Sequence, residues 1–457
     1  MAVNTPVAGA NLAPVPAPVK ATLSTNYLSF TAGNNDWAQQ YIPEIYEKEV
    51  ERYGDRSIAS LIRMIGAEYA LESDEVVWSE QGRLHLSYEA VALVAATGVI
   101  TLGANHPVRV GATVLVSDGT TTVRGYVSAI AATTITVARY DKALFSTDGD
   151  FANGNVTVLV YGSEFAKGTV GMVGSVEPSF KSFRNKPIII KDHFEVSGSD
   201  ATQIGWVEIT SESGATGYLW YLKALGDTRT RFEDYLEMMV TEGEEAAAGS
   251  GAATAGATGT VGLFDAVTDG GHTSAGINGD ADDLADFDEM IYKLDKEGAI
   301  EENVLYLRRK ESIAIDDMLA SQNSYGAGGT SWGLFDNDEN MGLTLGFNDF
   351  RRGSYDFYKS DWKYLNDGAT RGLFDDVRGI MCPAGVTTVY DKGLGKNIKR
   401  PFLHVRYRAG AADDRRMKSY VLGSVGATTS SLDAMQVEFL SERCLVTQAA
   451  NNFMLFN

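Results

Sequence analysis

Apolar residues recur at helical spacing in some stretches of this chain and alternate with polar ones in most of the others. Over 43–54, Ile45, Tyr46, Val50 and Tyr53 share one side of a helix that Pro43 opens and Gly54 stops. Over 57–69, Ile58, Leu61, Ile62 and Ile65 line a second helix, with Ser57 in the N-cap position. The longest helical pattern covers 218–243. Leu222, Leu225, Phe232, Leu236 and Met239 form its stripe, with Arg229, Glu233, Glu237 and Glu244 off it. Further on, Asp282 or Asp283 caps a helix whose apolar face is Leu284, Phe287, Ile291 and Leu294, ended by Gly298. A buried strand at 303–307 and a helix at 309–322 follow, which predicts a compact α/β region.

Between these helices the period falls to two. Strands are predicted at 113–117, 121–130, 133–140 and 155–162, and Asp118-Gly119 marks a tight turn between the first two. The apolar run 90–104 is too short to span a bilayer and rich in β-branched residues, so it reads as buried strand. Only 11 of the 88 residues from Leu86 to Val173 are charged, against 22% for the whole chain. The block therefore reads as a β-barrel or sandwich inserted into a larger domain. Its extended, polar flanks, 76–89 and 179–198, could pair as the arms of one long hairpin. The C-terminal third is a series of strands between Gly-rich turns, closed by a strand pair over 435–456.

Composition narrows the function. The chain has 457 residues, 48 of them Gly and 10 Pro, which favours turns and loops over a Pro-rich linker. The run 244–262 is low-complexity Ala, Gly, Ser and Thr, hence a mobile loop unless partners tie it down. A net charge of −21 argues against a protein that coats nucleic acid, because phosphate neutralisation needs a basic surface. Cys382 and Cys444 are too few for a disulfide scaffold and read as reduced structural thiols. Residues 1–22 lack a basic leader and carry Pro14, Pro16 and Pro18, so they read as an extended arm of a soluble protein.

No catalytic motif emerges. His85, His106, His193, His272 and His404 are scattered without metal-ligand spacing. No Ser lies in a Gly-x-Ser-x-Gly elbow, and 393–400 has the Gly and Lys of a phosphate loop without its spacing. The acidic run 336–342 misses the turn Gly and terminal Glu of a calcium loop, while 279–289 is explained by carboxylates favouring a helix N-terminus. Phe350, Tyr355, Phe357, Tyr358, Trp362 and Tyr364 could form a stacking face but fall in strand-like runs, which favours sheet core. No catalytic residue, cofactor or metal site is assigned.

The order of these pieces resembles the major capsid proteins of tailed bacteriophages with the Hong Kong 97-type fold. The stretch "LWYLKALGDTRTRFEDYLEMM" is similar to that family's spine helix. "DFDEMIYKLDKEGAIEENVLYLRRKESIAIDDML" is similar to its axial helices and strand, "IMCPAGVTTVYD" to a return strand, and "VEFLSERCLVTQAANNFMLF" to its final strands. The segment "YIPEIYEKEVERYGDRSIASLIRMIGAEY" is most similar to capsid proteins of crAss-like and related phages of Bacteroidetes-type hosts.

The resemblance implies an α+β architecture: an N-arm (1–40), N-terminal helices (41–73) and E-loop strands (74–85 and 174–200). These are followed by a peripheral P-domain with spine helix and flexible loop (201–262), an axial A-domain (263–380) and return strands (381–457). The all-β block 86–173 departs from the family pattern as an insertion. The implied function is a non-enzymatic subunit that assembles into hexamers and pentamers of an icosahedral shell around double-stranded DNA, in the virion after assembly in the host cytoplasm. Implied partners are other copies, a portal, scaffolding and decoration proteins, and DNA held by proximity, with no membrane. Arg229, Arg231, Glu233 and Glu237 are the candidate inter-subunit ion-pairing residues; a solvated helix face explains them equally well. The competing readings are a tail, baseplate or surface-layer protein with a glycan-binding β domain, and a carboxylate-based polysaccharide hydrolase.

Overall fold

The computed structural model describes residues 19–20, 40–41, 66–147, 151, 154–177, 180–202, 209–210, 216–217, 220–275, 283–298, 300–323, 349–374, 376–391, 396–425 and 428–457. The helix expected over 43–54, most of that over 57–69, the acidic run 336–342 and nearly all of the arm lie outside them. Val19–Lys20 pairs antiparallel with Gln40–Tyr41. The chain divides into two compact units, 77–184 and the remainder.

Strand β1 (Glu68–Leu71) takes the place of the last turn expected of the 57–69 helix. It runs parallel to a strand more than 330 residues away, and that pairing overrides the local helical period. In the unit 77–184, β2 (Val76–Gln81) belongs to a two-stranded ladder described below. The run 90–104 folds as two strands, β3 (Ser87–Val94) and β4 (Val99–Thr101). With β5 (Ala112–Ser117), β6 (Thr122–Ile130), β7 (Thr134–Arg139) and β8 (Gly154–Ser163) they close a barrel in the order β8-β3-β4-β7-β6-β5. Alternate residues fill it, among them Ile100, Val114, Val116, Val127, Ile135, Val156 and Val158. Phe145 and Phe151 plug it edge to face, with ring centroids 5.4 Å apart. Strand β9 (Phe180–Asn185) is the partner of β2 in the ladder.

The second unit is built on two sheets. Strand β10 (Ile188–Ser197) does not continue the flanking hairpin; its whole length pairs antiparallel with the C-terminal region. Helix α1 (Trp220–Glu242) follows, then α2 (Leu263–Gly270) and β11 (His272–Ser274). Next come α3 (Asp283–Glu297), β12 (Glu302–Leu307) and α4 (Arg309–Asn323), each within a few residues of the sequence reading. The remaining strands are β13 (Asp349–Arg352), β14 (Tyr355–Asp361), β15 (Gly379–Pro383), the hairpin β16 (Val386–Asp391) and β17 (Lys396–Pro401), β18 (Leu403–Arg408), β19 (Lys418–Gly423), β20 (Ala434–Thr447) and β21 (Met454–Phe456).

One sheet has the order β10-β20-β18-β1, with β19 also on β20; the other runs β11-β21-β15-β12-β14-β13. The closing strands are therefore not a pair. A turn at 448–453 sends β20 into the first sheet and β21 into the second. The second sheet is covered on both faces, and its residues sort by period two. Leu305, Leu307, Met381, Met454 and Phe456 pack with Phe287, Met290 and Leu294 of α3 and Ile315 and Met318 of α4. Val304, Tyr306, Ile380, Cys382 and Leu455 face the opposite core, which includes Val240 of α1, Leu263 and Val267 of α2, and Val405 and Leu445 of the first sheet. The aromatic run belongs to these cores: Phe350, Tyr355, Phe357, Trp362 and Tyr364 are buried, and Tyr358 is exposed.

The segment 244–262 is tied down, contrary to the mobile-loop expectation. Glu245 bridges Gly259, and the Gly262 amide donates to the Gly243 carbonyl at 2.8 Å. Asn185 clamps its end: its amide nitrogen donates to Val261 O (2.9 Å) and Leu445 O (2.7 Å), while its oxygen accepts from Thr260 Oγ1 and Val261 N at 2.9 Å each. Here the glycines permit close passage of backbone past backbone.

Candidate subunit-contact surface

Helix α1 buries Phe232 and Leu236 against Val437 and Phe439 of β20, with the Phe232 and Phe439 rings stacked at 5.7 Å. The stripe read from the sequence is rotated slightly. Val240 is buried, while Leu222 and Met239, expected inside, are exposed. That rotation decides where the four candidate charges stand. Arg229 and Glu233 form an (i, i+4) pair with Nε to Oε1 at 3.3 Å, the Arg side chain 64% exposed. Arg231 donates through Nε and Nη2 to Asp192 Oδ2 of β10, at 3.1 and 3.0 Å, so it is engaged within its own chain. Glu237 is 1% exposed, on the inner side of the helix rather than its solvated face.

Arg229, Glu233 and Glu237 border a groove of about 820 Å³ whose other wall is Glu68 of β1, Asp414, Arg416, Lys418 of β19 and Arg443 of β20. Glu68 accepts from Arg416 and lies 3.5 Å from Arg443 Nη1. Arg443 is buried, and its guanidinium also donates to Ser441 Oγ (2.9 Å) and Arg416 O (2.7 Å). Desolvation lowers its pKa from the usual arginine value. Beside the groove Lys418 pairs with Asp413 at 2.7 Å and Arg415 with Glu442 at 2.5 Å. Four acids and four bases line the groove, so it carries no net charge. Such a surface fits a polypeptide bearing both signs and does not fit a phosphate backbone. The far wall left no mark in the sequence, because Glu68 and Arg416 are 348 positions apart.

A second exposed surface lies in the unit 77–184. The ladder of β2 and β9 stacks Trp78 on Phe183 at 6.0 Å, with Lys181 Nζ 4.9 Å from the Phe183 ring centre. Val77 is 61% and Phe180 63% exposed, and Leu84, Val170 and Val173 of the same unit are exposed too.

His404, Cys382 and Cys444 lie in the interior. His404 is buried, with Nδ1 3.1 Å from Pro401 O and its ring edge-on to Tyr69; burial lowers its pKa to about 4. Burial raises the Cys444 thiol to about 12 and moves Cys382 in the same direction. Among the described residues no group of three or more His, Cys, Asp or Glu could hold a metal ion, and no helix is long and apolar enough to cross a membrane.

No protein-family profile matches the sequence, and no curated protein matches it. Solved structures similar to this chain include one described as "Gordonia phage Cozz" (11% identity, 96% of this chain and 98% of that chain, TM-score 0.43). Another is described as "Capsid structure of the Cyanophage P-SCSP1u" (8% identity, 96% and 98%, TM-score 0.42). A third is "Microbacterium phage Oxtober96" (9% identity, 92% and 97%, TM-score 0.40).

Proposed function

We propose that this chain is a non-enzymatic subunit of a Hong Kong 97-type phage capsid, assembling into hexamers and pentamers of a closed shell around double-stranded DNA. The observation that carries the reading is the β2–β9 ladder. An isolated pair of strands is marginal in water, yet this one leaves Val77 and Phe180 more than half exposed. Exposed apolar side chains on an unsupported ladder suit a surface that a neighbouring copy covers. In this reading the ladder is the E-loop, α1 the spine helix of the P-domain, and the second sheet with α3 and α4 the A-domain. The neutral groove beside α1 receives a neighbour's charged segment, with Arg229 and Glu233 at its rim. The net charge of −21 keeps packaged duplex loosely held rather than gripped. Portal, scaffolding and decoration proteins complete the particle, which resides in the virion.

The test is a charge placed on the ladder. Phe180→Asp combined with Val77→Asp should leave the thermal unfolding curve close to that of the parent, since both sites are exposed, while cutting the assembled fraction in size-exclusion runs about tenfold. Undiminished assembly of the double variant would remove the ladder from the contact.

A further inference from the structure

The barrel carries a recess on its outer wall that the shell reading does not use. Its volume is about 710 Å³, within the range of small-molecule sites. Tyr161 of β8 and Tyr140, just beyond β7, stand at it, each 51% exposed. The Tyr140 hydroxyl donates to Glu164 Oε2 at 2.5 Å, which fixes that carboxylate in place and raises the phenol pKa to about 12. Asp141 is clamped by Arg139, Nε to Oδ1 at 2.9 Å and Nη2 to Oδ2 at 2.6 Å. Arg124 of β6 lines the same recess, and its guanidinium has no partner among the described residues.

The position opposite Thr113 of β5 is Gly162, which contributes no side chain and leaves room there. Thr113 is 6% exposed, lines the recess, and its Oγ1 has no hydrogen-bond partner. A buried hydroxyl without a partner is costly unless something completes it. Arg139 does not line the recess but its buried guanidinium pairs with Asp141, which leaves Glu164 against Arg124 among the lining charges, so the charges favour neither a polyanion nor a polycation. What remains is an aromatic face, a fixed acceptor pair, a free planar donor and an orphan hydroxyl.

We propose that this recess binds a neutral saccharide. A pyranose ring lays its C–H face on Tyr161, its hydroxyls donate to the carboxylates of Glu164 and Asp141, and its oxygens accept from Arg124. Thr113 supplies a further hydroxyl once its rotamer turns toward the ligand. The inference does not depend on whether the chain builds a shell.

The experiment titrates the full chain, fluorescently labelled, with maltopentaose, cellopentaose, mannopentaose and chitopentaose. Saturable binding to at least one is expected, insensitive to salt up to about 0.5 M. Tyr161→Ala and Arg124→Ala should each weaken it about tenfold, while Tyr161→Trp retains it. Both side chains are on the outer wall, and unchanged thermal unfolding confirms that the variants fold. Three results would overturn the proposal: no binding to any of the four sugars, binding that survives both alanine substitutions, or binding confined to heparin and abolished by salt.

Discussion

At the scale of single residues, Asn185 and His404 are fixed by contacts that no local pattern announces. Asn185 is 4% exposed, and its amide bonds reach Leu445, 260 positions away. Asn185→Ala would strand the Val261 amide, the Thr260 hydroxyl and two carbonyls in the interior. The expected loss is roughly 3 kcal/mol in urea unfolding, with faster proteolysis at 244–262. His404 gives a pH signature. Its folded pKa of about 4 lies below the ordinary histidine value, so in acid the unfolded chain binds the proton first. The stability it contributes is intact above pH ~6.5, declines as the pH falls toward 4, and is exhausted below that, a total of about 3 kcal/mol. Subtracting the stability-against-pH curve of His404→Asn from that of the parent should isolate this slope; parallel curves would refute it. The cause is burial, reinforced by the guanidiniums of Arg406 and Arg400.

At the scale of elements, legibility followed locality. The barrel strands were readable within about a residue at most ends, because each carries its own alternation and its neighbours in sequence are largely its neighbours in space. Helices α3 and α4 were readable for the same reason. Two departures from the sequence reading involve distant partners. β1 looked helical until β18 paired with it, and β10 looked like a hairpin arm until β20 claimed its whole length. A stripe drawn through Met239 puts Glu237 on the solvated face, because it omits Val240, the residue that enters the core. Composition alone misleads for the Gly-rich segment after α1. Gly259 has φ of +66°, and a Cβ there would overlap the Glu244 carbonyl. Gly259→Ala is therefore expected to destabilise the chain by about 2 kcal/mol or more, read as a lowered thermal midpoint. A neutral effect would mean that the segment is as loose as its composition suggested.

At the scale of the whole molecule, two features point outward rather than inward. One is the ladder with its exposed Val77 and Phe180; the other is the charge-balanced groove between α1 and β19. Part of the candidate ion-pairing set is already satisfied within one chain. Arg231 is taken by Asp192, Glu237 is buried, and Arg229 and Glu233 pair with each other at the rim of the groove. Exposed pairs of this kind are worth only a few tenths of a kcal/mol each, so in the proposed shell most contact energy comes from the apolar ladder and the charges set register. The proposed shell subunit is tested most directly by electron microscopy of the purified full chain, alone and with the scaffolding protein proposed above. Closed, icosahedral shells of uniform diameter are expected. A chain that stays monomeric under both conditions, or that forms only tubes, rings or planar sheets, would contradict the proposal.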